Sequence, residues 1–191
     1  MNINELTNIV NYFSYNSLVI ISYFLICLII LILNIILRGK VNKMLAVRRG
    51  NIFNPLNYIR LITTGLCHQD WNHFRNNFIL ILLVGPMLEE KYGSINLLVM
   101  ILITTLISSL LHIIMHKSSA IGASDNVYMM IVLCSIVNIT NGKIPITLIL
   151  ILLFYVADEI IKLLFKRRDN IAHDSHIIGA ICGFIFGYFI F

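Results

Sequence analysis

The chain has 191 residues, of which 59% are hydrophobic and only 12% charged, and it carries a formal net charge of +5. A soluble domain averages about 45–50% apolar and about 25% charged residues, so this composition excludes a soluble globular protein and leaves no length for a second, soluble domain. The positive balance fits membrane topology and anionic lipid headgroups, and the basic-aromatic patterns of nucleic-acid binding are missing.

In chain order, residues 1–16 read as a short N-terminal tail without the basic start and small-residue cleavage site of a signal peptide. The first span, about 17–37, is an anchor: Leu18 to Leu37 has Asn34 as its one polar interruption after Ser22 and Tyr23. That is about the 20 residues needed to cross a ~30 Å hydrocarbon core. A basic connector follows from Arg38 to about Gln69, with Asn54-Pro55 as a turn. The second span, about 71–91, carries His73, Asn77, Gly85 and Glu89, and Gly93-Ser94 breaks it before the third, about 95–115. A loop from Lys117 to Gly122 leads to a fourth span at about 123–139, short enough that its N-terminus should stop inside the protein. Asn141-Gly142 is a turn, Pro145 suits a first helical turn, and the fifth span covers about 145–165. Lys166-Arg167-Arg168-Asp169 is a solvated loop, and the sixth span runs from about 176 to 191. All six are helical, because lipid-exposed backbone must satisfy its own hydrogen bonds. The fold class is therefore all-α, a polytopic bundle over residues 17–191.

Ionisable and nucleophilic groups at membrane depth are costly, so they are functional candidates. In the sixth span Gly179, Gly183 and Gly187 recur every fourth residue and form a smooth stripe for a close neighbour. His176, three residues before Gly179, lies on that face. Ser124 opens the fourth span, and a serine becomes a nucleophile when an imidazole takes its proton. Tyr128, at i+4 from Ser124, is placed to pack its ring against His176. His73 and Asn77, also i,i+4, offer two hydrogen-bond donors on one face; donors aimed at an oxyanion contribute roughly 2.7–4 kcal/mol each in soluble serine proteases. Taken singly, each feature has a plain structural reading: packing stripe, back-bonded serine, polar glue between helices.

Together they resemble the rhomboid family of intramembrane serine proteases. The resemblance rests on Arg60-x3-Thr64-x3-His68-x4-His73-x3-Asn77, Gly85-x3-Glu89-x3-Gly93, Gly122-x-Ser124-x3-Tyr128 and His176-x2-Gly179-x3-Gly183. Residues 169–175 also resemble the approach to the last helix in some bacterial members. The resemblance implies a six-helix core, a Ser124–His176 dyad with no acidic third member, and an oxyanion pocket from His73, Asn77, Gly122 and the Ser124 amide. It implies a bracing pair of Arg60 and Glu89, a structural His68, transmembrane protein substrates within the bilayer, and no metal or cofactor. The chain departs from the family at Asp125, where glycine usually follows the serine, and at Ile59, where many members have tryptophan. Asp125 is placed either to favour the positive end of the fourth helix or to repel an oxyanion. A rhomboid-like protein that binds membrane clients without cutting them is the alternative.

Other patterns carry less. His112 and His116 at i,i+4, with His68, His73, His173 and His176, hint at a metal transporter, but the HExxH of membrane zinc enzymes is absent. Asp158 and Glu159, with Lys162 one turn on, read as a snorkelling interfacial cluster. Cys27, Cys67, Cys134 and Cys182 are scattered, with no CxxC, and read as packing residues. The positive-inside rule places the basic first connector (Arg38, Lys40, Lys43, Arg48, Arg49, Arg60) and the group Lys162, Lys166, Arg167 and Arg168 in the cytoplasm, against Lys91 and Lys143 opposite. Bacterial rhomboids generally have the reverse arrangement, so orientation stays open, as does oligomeric state.

Overall fold

A computed structural model describes residues 17–50, 54–115, 119–137, 144–165 and 173–190. The expected turn at Asn141-Gly142, the basic loop at 166–169, the approach at 169–172, His116 and Lys143 lie outside the described residues.

The described residues are helical apart from short connections and one isolated bridge, Val47 to Ala120. Helix α1 is Leu18–Ile36. Its buried residues, Ile20, Tyr23, Cys27, Leu31 and Asn34, fall at three- and four-residue spacing and make one stripe. Leu25, Ile29 and Ile32 on its other side are about half exposed. Such a helix suits a lipid solvent, since its outward face is as apolar as its inward one.

The first connector is more ordered than its sequence suggested. It holds α2, Lys40–Leu45, and α3, Pro55–Thr63, the latter prolonged by a 3-10 turn, Thr64–Leu66. Asn54-Pro55 is a helix start and not a turn. Asn54 Oδ1 accepts from the Leu56 amide at 3.0 Å, and proline at the first position loses no hydrogen bond because that amide would be unpaired anyway. The connector is tied to its neighbours through polar side chains. Asn34 Oδ1 accepts from the Asn42 amide, and Asn42 Nδ2 donates to the His68 carbonyl at 2.8 Å.

Helices α4, Trp71–Tyr92, and α5, Ser94–Met115, form the next antiparallel pair. Asp70 caps α4 by accepting from the His73 amide at 2.9 Å, which fixes His73 in the first turn. At the other end Glu89 is buried and does three jobs. Its carboxylate accepts from the Val19 and Ile20 amides at 2.9 and 3.1 Å and from Ser94 Oγ at 2.6 Å. It therefore joins the start of α1 to the α4–α5 corner by charge-assisted bonds. Arg60 bonds instead to the Met44 carbonyl and Asn57 Oδ1. The Arg60–Glu89 pair expected from the sequence is not formed. Two of the unpaired amides at the start of α1 claim the carboxylate, and the Met44 carbonyl with Asn57 Oδ1 claims the guanidinium.

Helix α6, Ser124–Ile136, is almost wholly buried. It is followed by α7, Ile146–Ile151, a π-helical turn at Leu152–Val156, and α8, Ala157–Leu164, in continuous helical succession. The next described helix, α9, His173–Ile185, already includes the three residues before the expected start at His176 and passes into a π turn, Phe186–Ile190. Helices α6 and α9 form the most intimate pair in the bundle. They run parallel and in step: a Cβ on Gly179 would fall on the Asp125 carbonyl, one on Gly183 on the Met129 carbonyl, and one on Gly187 at 3.0–3.2 Å from Leu133 and Ile136 side chains.

Polar residues are concentrated inside. Asn126 is fully buried, and its Nδ2 donates to Thr105 Oγ1 at 2.9 Å and to Tyr23 Oη at 3.3 Å, while Tyr23 donates to the Gly65 carbonyl at 2.8 Å. Among the described residues α1 and α5 are each long and apolar enough to cross a membrane.

Replacing Gly183 by valine should separate α6 from α9, because the obstructing atoms are backbone and cannot rotate away. Overpacking of this kind costs about 3 kcal/mol or more, read as a lowered thermal midpoint in detergent. Ile181→Val, on the exposed face of the same helix, should leave the midpoint nearly unchanged.

Candidate active site

Ser124 is the first residue of α6, entered through a strand-like approach that the connector holds in place. The Ala120 amide donates to the Val47 carbonyl at 3.2 Å, Thr64 Oγ1 donates to the Ala120 carbonyl at 2.6 Å, and the Gly122 amide donates to the Thr64 carbonyl at 3.3 Å. Gly122 has φ +128°, a conformation that side-chain-bearing residues rarely adopt. A Cβ there would lie 2.8 Å from the His73 ring and 3.9 Å from Asn77 Nδ2. The absence of that atom lets the backbone leading to Ser124 rest directly on the two α4 side chains.

Asn77 is buried and its Nδ2 lies 3.3 Å from His68 Nε2. An amide nitrogen carries two hydrogens, so one engages His68 and the other is left for the side facing Gly122. His68 is itself completely buried, packed edge-on against His73 and Phe74 at 5.2 and 5.3 Å. Burial, aided by the neighbouring His73, pushes the His68 imidazole down to about 3, so it is neutral and acts as a fixed acceptor for Asn77.

His176 lies one turn before Gly179 on the face of α9 that meets α6. Its ring stacks on Tyr128 with centroids 4.4 Å apart and planes at 12°. Beside Ser124 is a cavity of about 30 Å³, lined among others by Ser108, His112, Gly122, Asp125 and Ser175. That is room for about one or two waters. Asp125 is 5% exposed and turned away from solvent. Its Oδ1 accepts from the Asn126 amide at 2.8 Å, and Ser108 also bonds to it. His112, part of the metal pattern considered with His116, is buried at this cavity.

The structure brings one further acid, Glu159, to His176. Asp158 and Lys162 do form the expected kind of interfacial pair, at 2.5 Å with Asp158 half exposed. Glu159 departs from that reading: it is 3% exposed, the one buried residue of α8. Its Oε2 lies 2.6 Å from His173 Nδ1 and 2.8 Å from His176 Nδ1, and its Oε1 accepts from Tyr128 Oη at 3.1 Å and Lys162 Nζ at 3.2 Å. The resemblance implies no acidic third member, and in the structure the Glu159 carboxylate lies at hydrogen-bond distance from His176 Nδ1. The physical reason is that adjacent helical residues point roughly 100° apart, so Asp158 faces outward to Lys162 while Glu159 faces α9. Among the described residues, Glu159, His173 and His176 also bring ligand atoms within 4.8 Å of one another, close enough to share a metal ion.

Residues 55–191 match the Rhomboid domain family. The chain belongs to the rhomboid family. No curated protein sequence matches it. Rhomboids are generally intramembrane serine proteases, and the matched segment contains every site residue named above from Arg60 to Gly187.

The depressed pKa of His68 makes stability pH-dependent. Its folded value, about 3, lies below the ordinary 6.5, so only the unfolded chain takes up the proton between those limits. Stability is full above about pH 6.5 and falls as pH drops toward 3, by at most about 1.4 kcal/mol per unit. Denaturation of His68→Gln against pH should show a shallower slope over that window than the wild-type protein.

Proposed function

We propose that this rhomboid is an active intramembrane serine endopeptidase, anchored as a six-span protein of the cell membrane, that cleaves transmembrane segments of other membrane proteins. The observation that carries the reading is the seat of Gly122 on His73 and Asn77, which puts two polar side chains against the backbone that enters the nucleophile. The spans are those from about 17–37, 71–91, 95–115, 123–139, 145–165 and 176–191.

In this reading Ser124 Oγ attacks the substrate carbonyl carbon while its proton passes to His176 Nε2. The developing oxyanion takes hydrogen bonds from His73, Asn77 and the Ser124 amide, at the positive end of α6. The imidazolium then gives its proton to the leaving amide nitrogen, and the peptide C–N bond breaks. Water from the cavity beside Ser124 hydrolyses the acyl-enzyme, His176 again serving as base. Tyr128 holds the His176 ring plane by stacking, and the glycine stripe of α9 sets its distance from α6. Substrate helices must unwind locally before attack, since helical carbonyls are already hydrogen-bonded. Small or helix-breaking residues near the cleaved bond are expected on that ground. No metal or cofactor enters these steps.

Asp125 favours one competing reading. Its buried carboxylate lines the same cavity as Ser124, where a negative charge opposes an oxyanion, and a client-binding protein without protease activity would tolerate that.

A fluorophosphonate probe applied to the detergent-solubilised protein should label wild type and fail on Ser124→Ala and His176→Ala. Asn77→Ala should label about 10²–10³-fold more slowly, the usual cost of one oxyanion donor. A folded wild type that stays unlabelled while Asp125→Gly is labelled would establish the client-binding reading instead.

A further inference from the structure

The four donors around Glu159 can be matched to its acceptor sites. An ionised carboxylate has about four lone-pair positions and donates nothing. Here the four positions meet Tyr128 Oη, Lys162 Nζ, His173 Nδ1 and His176 Nδ1, two on each oxygen. The Lys162 ammonium can only donate, which favours the ionised form, and an ionised Glu159 requires both imidazoles to present Nδ1–H. A metal ion at the same atoms would need both Nδ1 positions deprotonated, and the N···O separations of 2.6 and 2.8 Å are those of charge-assisted hydrogen bonds.

We propose that Glu159 is a positioning residue for the reaction, making the Ser124–His176 pair of this rhomboid a three-membered relay. The inference rests on the protease reading above. By accepting Nδ1–H, Glu159 holds His176 in the tautomer whose Nε2 lone pair is free to take the Ser124 proton. When that proton arrives, the ring becomes imidazolium, and the carboxylate at 2.8 Å offsets the new charge without itself taking a proton. The proton leaves from Nε2 to the amide nitrogen, so Nδ1–H is never exchanged.

The same carboxylate fixes both supports of the ring. Tyr128, which stacks on His176, is bonded to Glu159 through its hydroxyl. His173, one turn before His176 on α9, holds the shared oxygen from the other side. The hub therefore links α6, α8 and α9 at the one residue whose ring orientation the chemistry depends on. A cost accompanies it: a carboxylate buried at 3% exposure is tolerated because every lone pair is occupied.

The test combines tautomer and rate. In the full chain in detergent micelles, ¹⁵N resonances of the His176 ring should show the Nδ1–H tautomer. In Glu159→Ala the ring should shift toward Nε2–H, and the maximal rate of fluorophosphonate inactivation should fall at least about tenfold with the probe's half-saturation concentration unchanged. Glu159→Gln, close to isosteric and still offering a carbonyl oxygen, should restore the tautomer but recover only part of the rate, because the charge is missing. If Glu159→Ala does not fold, Glu159→Gln alone decides: a lowered maximal rate at unchanged half-saturation supports the relay, and an unchanged rate overturns it. An unaltered tautomer in Glu159→Ala would overturn it too. So would a chelator that speeds labelling of wild type but not of Glu159→Ala, which would reassign the three residues to a metal. A wild type that is never labelled would remove the protease reading, while the tautomer series would still report whether Glu159 sets the ring.

Discussion

The geometry of the site depends on one contact: the parallel, in-step approach of α6 and α9 across Gly179, Gly183 and Gly187. At the first two positions the neighbour is backbone, so the helices are as close as their main chains permit. That closeness is needed because the two groups proposed for catalysis, Ser124 and His176, are on different helices and have short side chains. A single methyl group at Gly179 or Gly183 would meet a backbone carbonyl that cannot rotate away, so the helices would have to separate. Dispersion between close backbones also replaces the hydrophobic drive that lipid cannot supply to helix association.

Around this seam the rest of the bundle acts as a brace. The first connector contributes little to crossing the membrane, yet Thr64 and Val47 hold the segment 120–122 that leads into Ser124. Asp70 caps α4 so that His73 falls in its first turn, and neutral His68 engages one hydrogen of the Asn77 amide. Glu89 performs an analogous task at the far end of α4 by capping α1. Thr64, Asp70 and Glu89 thus act where backbone ends or bends, pairing with amides and a carbonyl that lipid would leave unsatisfied.

The carboxylate of Glu159 illustrates how a buried charge is accommodated. Its four donors come from α6, from its own helix and from α9, so the charge is dispersed over a network whose members also orient one another. Asp125 is accommodated differently, by the Asn126 amide and Ser108, on the side of α6 facing the cavity. Two acids therefore lie near the candidate dyad with distinct partners. One is bonded by the two histidines of α9, Tyr128 and Lys162, and the other is held beside the cavity by its own helix and by α5.

The sequence by itself determined the membrane class, the family and the identity of most candidate residues. Long apolar runs, the four-residue glycine period and the motif spacings are local properties, legible in one dimension. Helical spacing also put Tyr128 and Ser124 on one face, and His73 with Asn77 on another. What the tertiary structure decided were the partners of the charged groups. Glu89 met the amides of a helix some seventy residues away, Arg60 met the Met44 carbonyl and the Asn57 side chain of the connector, and Glu159 met two histidines on α9. Charges find partners through space under competition among all available donors, and no spacing along the chain encodes the outcome of that competition.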